Sequence, residues 1–488
     1  MSRSWNVEDI AVPFSVVGRG TLLLVVPARR PQYPRPVRRR LAVAFALAAL
    51  ASIAVWAPLP WRPDTVGPFA LAEAMAVDLA LPVSAHDTDV ILVIGCTLRA
   101  DRLGIYGGGP TTPFLNALAQ RATVFTANYT QAPWTRPSVG TILTGRWPRA
   151  LHLDDPNTKE PLSLILDGQF TTLAEIFQAA GYRTVGAVSN PNAKAAFGLA
   201  QGFDAYDEPD GVYRDGVRIP SGKTLVDQLL AGLDATPPGQ RFFGEILFTT
   251  THQPRKPGPR DSLVFSFVPT ERPEYDAALR QLDGQLARLY VEARQRRKNL
   301  LFVLVGDHGE GLRLPRAHGP GHGNHLYQSH TRVPWIVSHP ALPASRVDAI
   351  TLNLDVAPTL LGLLGLPPGS TDGISHAAAV RGAGEVDAGR VAYAETYFKR
   401  SRKSARIDAK NLLVHDLKAQ TFAMFSMADP DATKDVSVRN AQTFADAKAE
   451  LAAWEAEMNR VGAAGTAIYG TPDEPTRQML EALGYEDR

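Results

Sequence analysis

Two stretches of the chain combine residue types that do chemistry with a setting that could activate them. The first covers residues 132–145 and contains Trp134-Thr135-Arg136-Pro137-Ser138. Proline is at home in the first turn of a helix, so Pro137 marks Thr135 as a helix-start residue whose hydroxyl lies beside backbone N–H groups without partners. Such a terminus attracts anions. The second is the apolar run Leu301-Phe302-Val303-Leu304-Val305, which stops abruptly at Gly306-Asp307-His308-Gly309-Glu310. It reads as a buried parallel strand delivering two ligand-capable side chains, Asp307 and His308, at its carboxyl end, the edge where open α/β sheets bind ligands. A free hydroxyl is a weak nucleophile until a metal or a base lowers its pKa. Thr135 with Asp307 and His308 therefore points to metal-assisted attack by a hydroxyl. Taken singly, Thr135 also suits a helix N-cap, and Asp-His-Gly a polar turn.

These side chains need a scaffold, and the pattern around them alternates strand with helix. Residues 89–95 form a short apolar strand, and 111–121 have helical spacing opening on Thr111-Thr112-Pro113. Residues 171–181 form a helix with threonine caps and a terminal glycine, followed by a strand at 183–188. A strand at 242–249, a long amphipathic helix at 273–297 and the strand at 299–305 complete the series. The expected fold class is α/β, a mostly parallel central sheet sandwiched between helices through right-handed crossovers. Beyond about residue 373 the pattern changes to short strands at 391–397, 411–415 and 421–425 and a charged helix at 441–461, a small carboxyl-terminal α+β subdomain. The expected organisation is a tail at 1–40, an apolar segment at 41–60, a stalk at 61–86, a catalytic domain at 87–373 and the subdomain at 374–488.

A chain of 488 residues, 45% apolar and 20% charged, has room for one large domain and a smaller companion. The formal net charge of +2 argues for no nucleic-acid partner, because the basic excess is local to Arg29, Arg30, Arg35, Arg38, Arg39 and Arg40. The single cysteine, Cys96, excludes an intrachain disulfide and every Cys-rich zinc motif. Residues 41–57 are uncharged and apolar, follow that arginine cluster and lie among Trp56 and Trp61. This is the pattern of one amino-terminal transmembrane helix with its amino end in the cytoplasm. It predicts a single-pass inner-membrane protein whose catalytic domain lies in the periplasm or outside the cell. The run is short for a span, and a cleavable signal with small residues at 72–76, or a buried core helix, are the alternatives.

Taken in order, several motifs resemble those of the sulfatase family of the alkaline-phosphatase superfamily. They are Thr97-Leu98-Arg99-Ala100-Asp101-Arg102-Leu103-Gly104, Thr111-Thr112-Pro113, Thr135-Arg136-Pro137-Ser138, Thr249-Thr250-Thr251-His252, Tyr275-Asp276, Leu282-Asp283, Asp307-His308-Gly309-Glu310 and Gly321-His322-Gly323-Asn324-His325. The resemblance implies cleavage of a sulfate- or phosphate-ester substrate, with Asp307 and His308 as ligands of one divalent metal ion. It also implies that His252 contacts the ester oxygens and that His322 protonates the leaving group. Such a cleavage moves negative charge onto nonbridging and leaving oxygens, which a cation, histidines and helix-terminal N–H groups stabilise. The ordinary pKa of histidine suits a general acid.

The chain departs from that family at two positions. Sulfatases carry cysteine or serine where Thr135 stands and oxidise it to formylglycine, in a sequence that also needs an arginine where this chain has Val139. Threonine is not converted by that route. Thr135 instead resembles the nucleophile of bacterial envelope phosphoethanolamine and phosphoglycerol transferases, which makes transfer of a phospho group the alternative to hydrolysis. The family also places an acidic ligand directly before Thr97-Leu98-Arg99, where this chain has Cys96. In one reading the Cys96 thiolate joins Thr135, Asp307 and His308 as a ligand and favours zinc or manganese over calcium or magnesium. In the other, Cys96 is a small buried apolar residue and the protein is a metal-poor noncatalytic relative. Arg99 reads as an ion-pair partner beneath the sheet.

Overall fold

The computed structural model describes residues 82–485 apart from 159, 209–210, 214–215, 219–220, 268–269, 271, 313–320 and 400, together with residue 74 and two short strands near the amino end. The chain divides into two units, Met1–Leu59 and Pro60–Arg488. Within the first, Ser15–Val17 pairs antiparallel with Thr21–Leu23. The transmembrane helix expected at 41–57 lies outside the described residues. Among those described, no helix is long and apolar enough to cross a membrane.

The second unit is built on an eight-stranded sheet. Its strands in chain order are β1 (Asp89–Gly95), β2 (Thr123–Tyr129), β3 (Arg183–Val188), β4 (Ala205–Asp207), β5 (Phe242–Phe248), β6 (Leu300–Gly306), β7 (Trp335–Ser338) and β8 (Ser345–Leu352). They lie side by side as β8-β2-β7-β6-β1-β5-β3-β4. Only β7 runs antiparallel to its neighbours β6 and β2. The remaining pairs are parallel.

Every residue of β1, β5 and β6 is buried, as continuous apolar strands in a helix-covered sheet must be. On β1, Val90, Leu92 and Ile94 face one core with the helices α2 (Thr135–Thr144), α3 (Leu173–Ala179) and α6 (Val356–Leu364). Ile91 and Val93 face the other, formed with α1 (Pro113–Ala119), α4 (Gly222–Asp234) and α5 (Pro273–Arg296). The sandwich expected from the alternating pattern is present. The capping signal at Thr172 is realised in full, with its hydroxyl accepting from Glu175 N and the Glu175 carboxylate accepting from Thr172 N.

Beyond β8 come four antiparallel strands, β9 (Ala392–Thr396), β10 (Lys403–Ile407), β11 (Asn411–Asp416) and β12 (Thr421–Ser426). One face packs Leu413 and Met424 against Ala447 and Leu451 of α7 (Ala441–Gly462). The other packs Ala394, Ala405 and Leu412 against Leu352 and Leu354 at the edge of the large sheet. A last helix, α8 (Glu474–Ala482), then leads the chain back toward the large sheet.

Candidate active site

Four strand ends converge at one edge. Gly95 pairs with Gly306 on one side and with Phe248 on the other, and Val188 pairs with Leu247. The residues just beyond β1, β6, β5 and β3, namely Cys96, Asp307, the 249–252 segment and Ser189-Asn190, therefore emerge together.

Thr135 is the first residue of α2, and its N-cap is Trp134, with no side-chain cap. The Thr135 hydroxyl is thus not consumed in capping its own helix, and every residue of α2 is buried. Ser138 Oγ, one turn on, donates to the Asp307 carbonyl at 2.5 Å, and Asn353 Nδ2 donates to the Gly306 carbonyl at 3.0 Å. These bonds tie the helix start to the end of β6. The buried Arg136 guanidinium has no carboxylate partner among the described residues. It donates to the carbonyls of Leu162 and Leu164 and to Asn192 Oδ1, and lies over the Phe197 ring at 3.4 Å.

Around Thr135 Oγ1 stand His308 Nε2 at 3.2 Å, Asn190 Nδ2 at 3.1 Å and Cys96 Sγ at 3.5 Å. The His308 Nδ1 donates to the Gly309 carbonyl at 2.8 Å. A carbonyl can only accept, so the proton is on Nδ1 and Nε2 presents its lone pair to the site. Asp307 Oδ1 accepts from the backbone N–H groups of Thr97 and His308, at 3.1 and 2.5 Å. Its other oxygen, Oδ2, is buried without a hydrogen-bond partner. Ligand atoms of Cys96, Asp307 and His308 all lie within 4.8 Å of one another.

An orphaned carboxylate oxygen, a bare imidazole nitrogen and a thiol aimed at one point fit a divalent cation. The donor set is one sulfur, one nitrogen and one carboxylate oxygen. Without the cation this cluster is costly. Burial pushes the Asp307 carboxyl up to about 7, offset in part by the two backbone N–H bonds. Burial, and next the Asp307 carboxylate, pushes the Cys96 thiol well above its usual range, so binding a metal there must expel a proton.

The turn that aims Cys96 is itself held in place. Thr97 has φ +56°, a left-handed conformation that costs a β-branched residue of the order of 1–3 kcal/mol. Its N–H is fixed by Asp307, its hydroxyl donates to the Cys96 carbonyl at 2.7 Å, and its own carbonyl accepts from Tyr275 OH at 2.7 Å. Arg99 makes the expected ion pair, with Asp101 at 2.7 Å, and donates to the Glu310 carbonyl at 3.0 Å.

His252 and His322 join the same cluster. The ring centres of His252 and His322 are 4.9 Å apart, and those of His308 and His322 4.6 Å. His252 Nδ1 bonds the Gln253 carbonyl, which leaves Nε2 facing inward as an acceptor. Glu310 lies behind them, with Oε1 3.5 Å from His322 Nδ1 and Oε2 3.0 Å from Arg255 Nη2. The near-neutral pKa expected of an acid histidine is not what this setting gives. Burial, then the neighbouring Lys399 and Arg255 cations, holds His322 down to about 3. Burial, then His322, does the same to His252, also to about 3.

All six expected residues, Cys96, Thr135, His252, Asp307, His308 and His322, are thus brought together, and two more stand among them. Asn190, two residues past β3, reaches both Thr135 Oγ1 and Cys96 Sγ, the latter at 3.3 Å. A strand end followed by Asn-Pro was the available signal. Tyr485, just past α8, places its hydroxyl 3.0 Å from Thr135 Oγ1 and 3.2 Å from both Asn190 Nδ2 and His252 Nε2. No local pattern marks it, since its role arises from a contact 350 residues away in sequence. His325 and His330 lie against each other and, through Tyr327, against Phe425 of β12.

The molecule is thus an α/β protein whose mostly parallel sheet gathers a hydroxyl, a thiol, a carboxylate and imidazoles at its carboxyl edge. The family model described as Sulfatase matches residues 88–366, more than half of the 488-residue chain, and the chain belongs to the sulfatase family. An arylsulfatase of Klebsiella aerogenes is 26% identical over 226 residues, 38% of this chain and 48% of that one. An ulvan-active sulfatase of Formosa agariphila is 24% identical over 330 residues, 56% of this chain and 61% of that one. The chain therefore spans about half to three fifths of the length of these curated relatives. Among solved structures, a phosphonate monoester hydrolase from Silicibacter pomeroyi superposes with a TM-score of 0.58 at 20% identity, covering 78% of this chain and 96% of its own. A 2-O GAG sulfatase gives 0.60 at 18% identity, covering 81% and 96%. At these identities the likeness is one of fold.

Proposed function

We propose that this chain is a metal-assisted hydrolase of sulfate or phosphate esters with Thr135 as nucleophile. The observation that carries the reading is the buried Thr135 hydroxyl, uncommitted to its own helix, beside the Cys96, Asp307 and His308 ligand atoms. A divalent cation held by those three residues and Thr135 would supply positive charge that lowers the hydroxyl's pKa and offsets charge on the ester oxygens. Asn190 Nδ2 donates to the attacking oxygen and keeps it aimed. His252 and His322, neutral in their buried setting, would take up protons when an anionic ester arrives, because an opposite charge nearby raises their pKa. His322 would then pass its proton to the leaving oxygen. Threonine in place of a formylglycine precursor supports a phosphoryl or phosphonyl substrate, and transfer to a second hydroxyl is the alternative fate of the bound group.

The apolar run at 41–57 behind its arginines supports the further reading that the ester-cleaving unit faces the outside of an inner membrane, which carbonate extraction of membranes tests. For the chemistry, the decisive experiment is a panel of aryl sulfate, phosphate monoester, phosphodiester and phosphonate monoester, run with zinc, manganese, magnesium and calcium, with and without an acceptor alcohol. Turnover that disappears in Thr135→Ala supports the assignment. Full activity in that variant, or no turnover with any metal, sinks it.

A further inference from the structure

Tyr485, the last of the described residues, is buried at 1% exposure, and its phenol oxygen lies within the cluster around Thr135. A reacting atom sits about 3–3.5 Å from its nucleophile before attack. The Tyr485 oxygen is 3.0 Å from Thr135 Oγ1, and it also engages Asn190 Nδ2 and His252 Nε2, each at 3.2 Å. One phenol thus takes up the groups that a nonbridging ester oxygen would need. A phenol acting on bound substrate would leave room for the ester between itself and Thr135, and a direct hydrogen bond leaves none.

The segment is held by packing of α8 against residues 211–213, 216–218 and 191–193, by ring contacts of Tyr485 with His252, His322 and Phe398, and by a few further contacts. Leu480, Leu483 and the Tyr485 ring pack with Ala132, Trp134, Phe197 and Phe398. Lys399 Nζ donates to the Gly484 carbonyl at 2.9 Å, and Asp473 caps α8 by accepting from Thr476 N. Of the nine residues of α8, only Thr476, Met479 and Leu480 are buried. A helix of nine residues is marginal by itself, so its hold on the site rests on these contacts, and a peripheral element of this kind can open locally at less than the cost of global unfolding.

We propose that residues 473–485 form a built-in plug of the Thr135 site, in which the Tyr485 phenol occupies the place of the ester and moves out before substrate binds. The plug rests on the proposed function only for the identity of what is displaced. It makes the closed state a competitor of substrate, so apparent affinity is reduced by the fraction of molecules that are open.

The test uses the zinc-loaded 488-residue chain and orthovanadate as probe, with binding measured by calorimetry. Tyr485→Ala should bind vanadate roughly ten-fold more tightly than the unsubstituted protein, the effect of removing a plug that is closed about nine times in ten. Tyr485→Phe keeps the ring, guards against misfolding and loses only the hydroxyl contacts, so it should tighten binding by a smaller factor. In the unsubstituted chain, vanadate should speed amide exchange in 476–485. Equal, weaker or undetectable vanadate binding in both variants overturns the proposal, as does unchanged or slower exchange in 476–485 with vanadate bound. The arms separate from the nucleophile assignment. If Thr135→Ala still cleaves esters at the normal rate while vanadate still speeds exchange at 476–485, the nucleophile reading fails and the plug stands.

Discussion

At the scale of single residues, the site turns on two departures that the surrounding geometry makes intelligible. Thr135 keeps a simple hydroxyl, so the nucleophilic role proposed for it would depend on its neighbours, and His308, Asn190 and Cys96 all lie within 3.5 Å of it. Thr135→Ala should lower turnover by roughly 10³-fold or more while changing stability by only about 1 kcal/mol, measured by steady-state kinetics and denaturant titration. Cys96 is the second departure. Its sulfur lies 3.9 Å from His308 Nε2 in a pocket that also holds the orphaned Asp307 Oδ2. Cys96→Asp should shift the preferred ion from zinc toward magnesium or calcium, as a hard oxygen replaces a soft sulfur. Cys96→Ala should weaken zinc binding at least 10–100-fold, the range that even outer partners of a metal site command. Metal titration by calorimetry checks both, and unaltered zinc affinity in Cys96→Ala would remove Cys96 from the ligand set.

At the scale of elements, the motifs on the long helix α5 turn out to be scaffolding for the loop behind β1. Tyr275 OH donates to the Thr97 carbonyl and accepts from Arg99 N, and Asp276 pairs with Arg102. Asp283 caps a neighbouring helix from the side, its two oxygens accepting from Phe114 N and Leu115 N at 2.9 and 3.0 Å. Asp283→Ala leaves both N–H groups of α1 unpaired in a buried setting and should cost about 2–3 kcal/mol in denaturant midpoint with little change in KM. Much of this framework was legible. β1, β5 and β6 were marked by apolar runs, α3 by its threonine caps and terminal glycine with β3 following it, and α5 by its amphipathic period. Other elements were hidden by their own composition. β2 reads TVFTANY, and its buried Thr123, Thr126 and Asn128 spoil an apolar pattern. β8 is half-exposed along its first residues because it lies at the sheet's edge. α2 is buried all round yet rich in threonine, serine and glycine, so only Pro137 announces it.

At the scale of the whole molecule, site residues from four strand ends, the start of α2 and Tyr485 beyond α8 meet in one buried cluster, and the fold carries the electrostatic cost of gathering them. His252 and His322 are held at about 3 in the folded protein against about 6.5 in the unfolded chain. A depressed folded pKa contributes stability that is present above pH 6.5 and is lost as pH falls toward 3, by up to about 3 kcal/mol per histidine at pH 4. Asp307, raised to about 7, works in the opposite sense, its contribution being present below about pH 4 and lost as pH rises through 7. In chelator-treated protein, His322→Gln should therefore flatten the loss of denaturant stability between pH 6.5 and pH 4, and Asp307→Asn should flatten the loss between pH 4 and pH 7. An unchanged slope in either would show that the group is solvated in solution.

The arrangement around Thr135 is tested most directly by trapping its covalent adduct. Acid-quenching the zinc-loaded chain during turnover of a phosphate or sulfate ester and sequencing its peptides by mass spectrometry should find the transferred group on Thr135, in the peptide spanning 132–145. Sustained turnover with that peptide unmodified at every quench time, or with the group on another side chain, would show that the hydroxyl at the start of α2 is not the nucleophile.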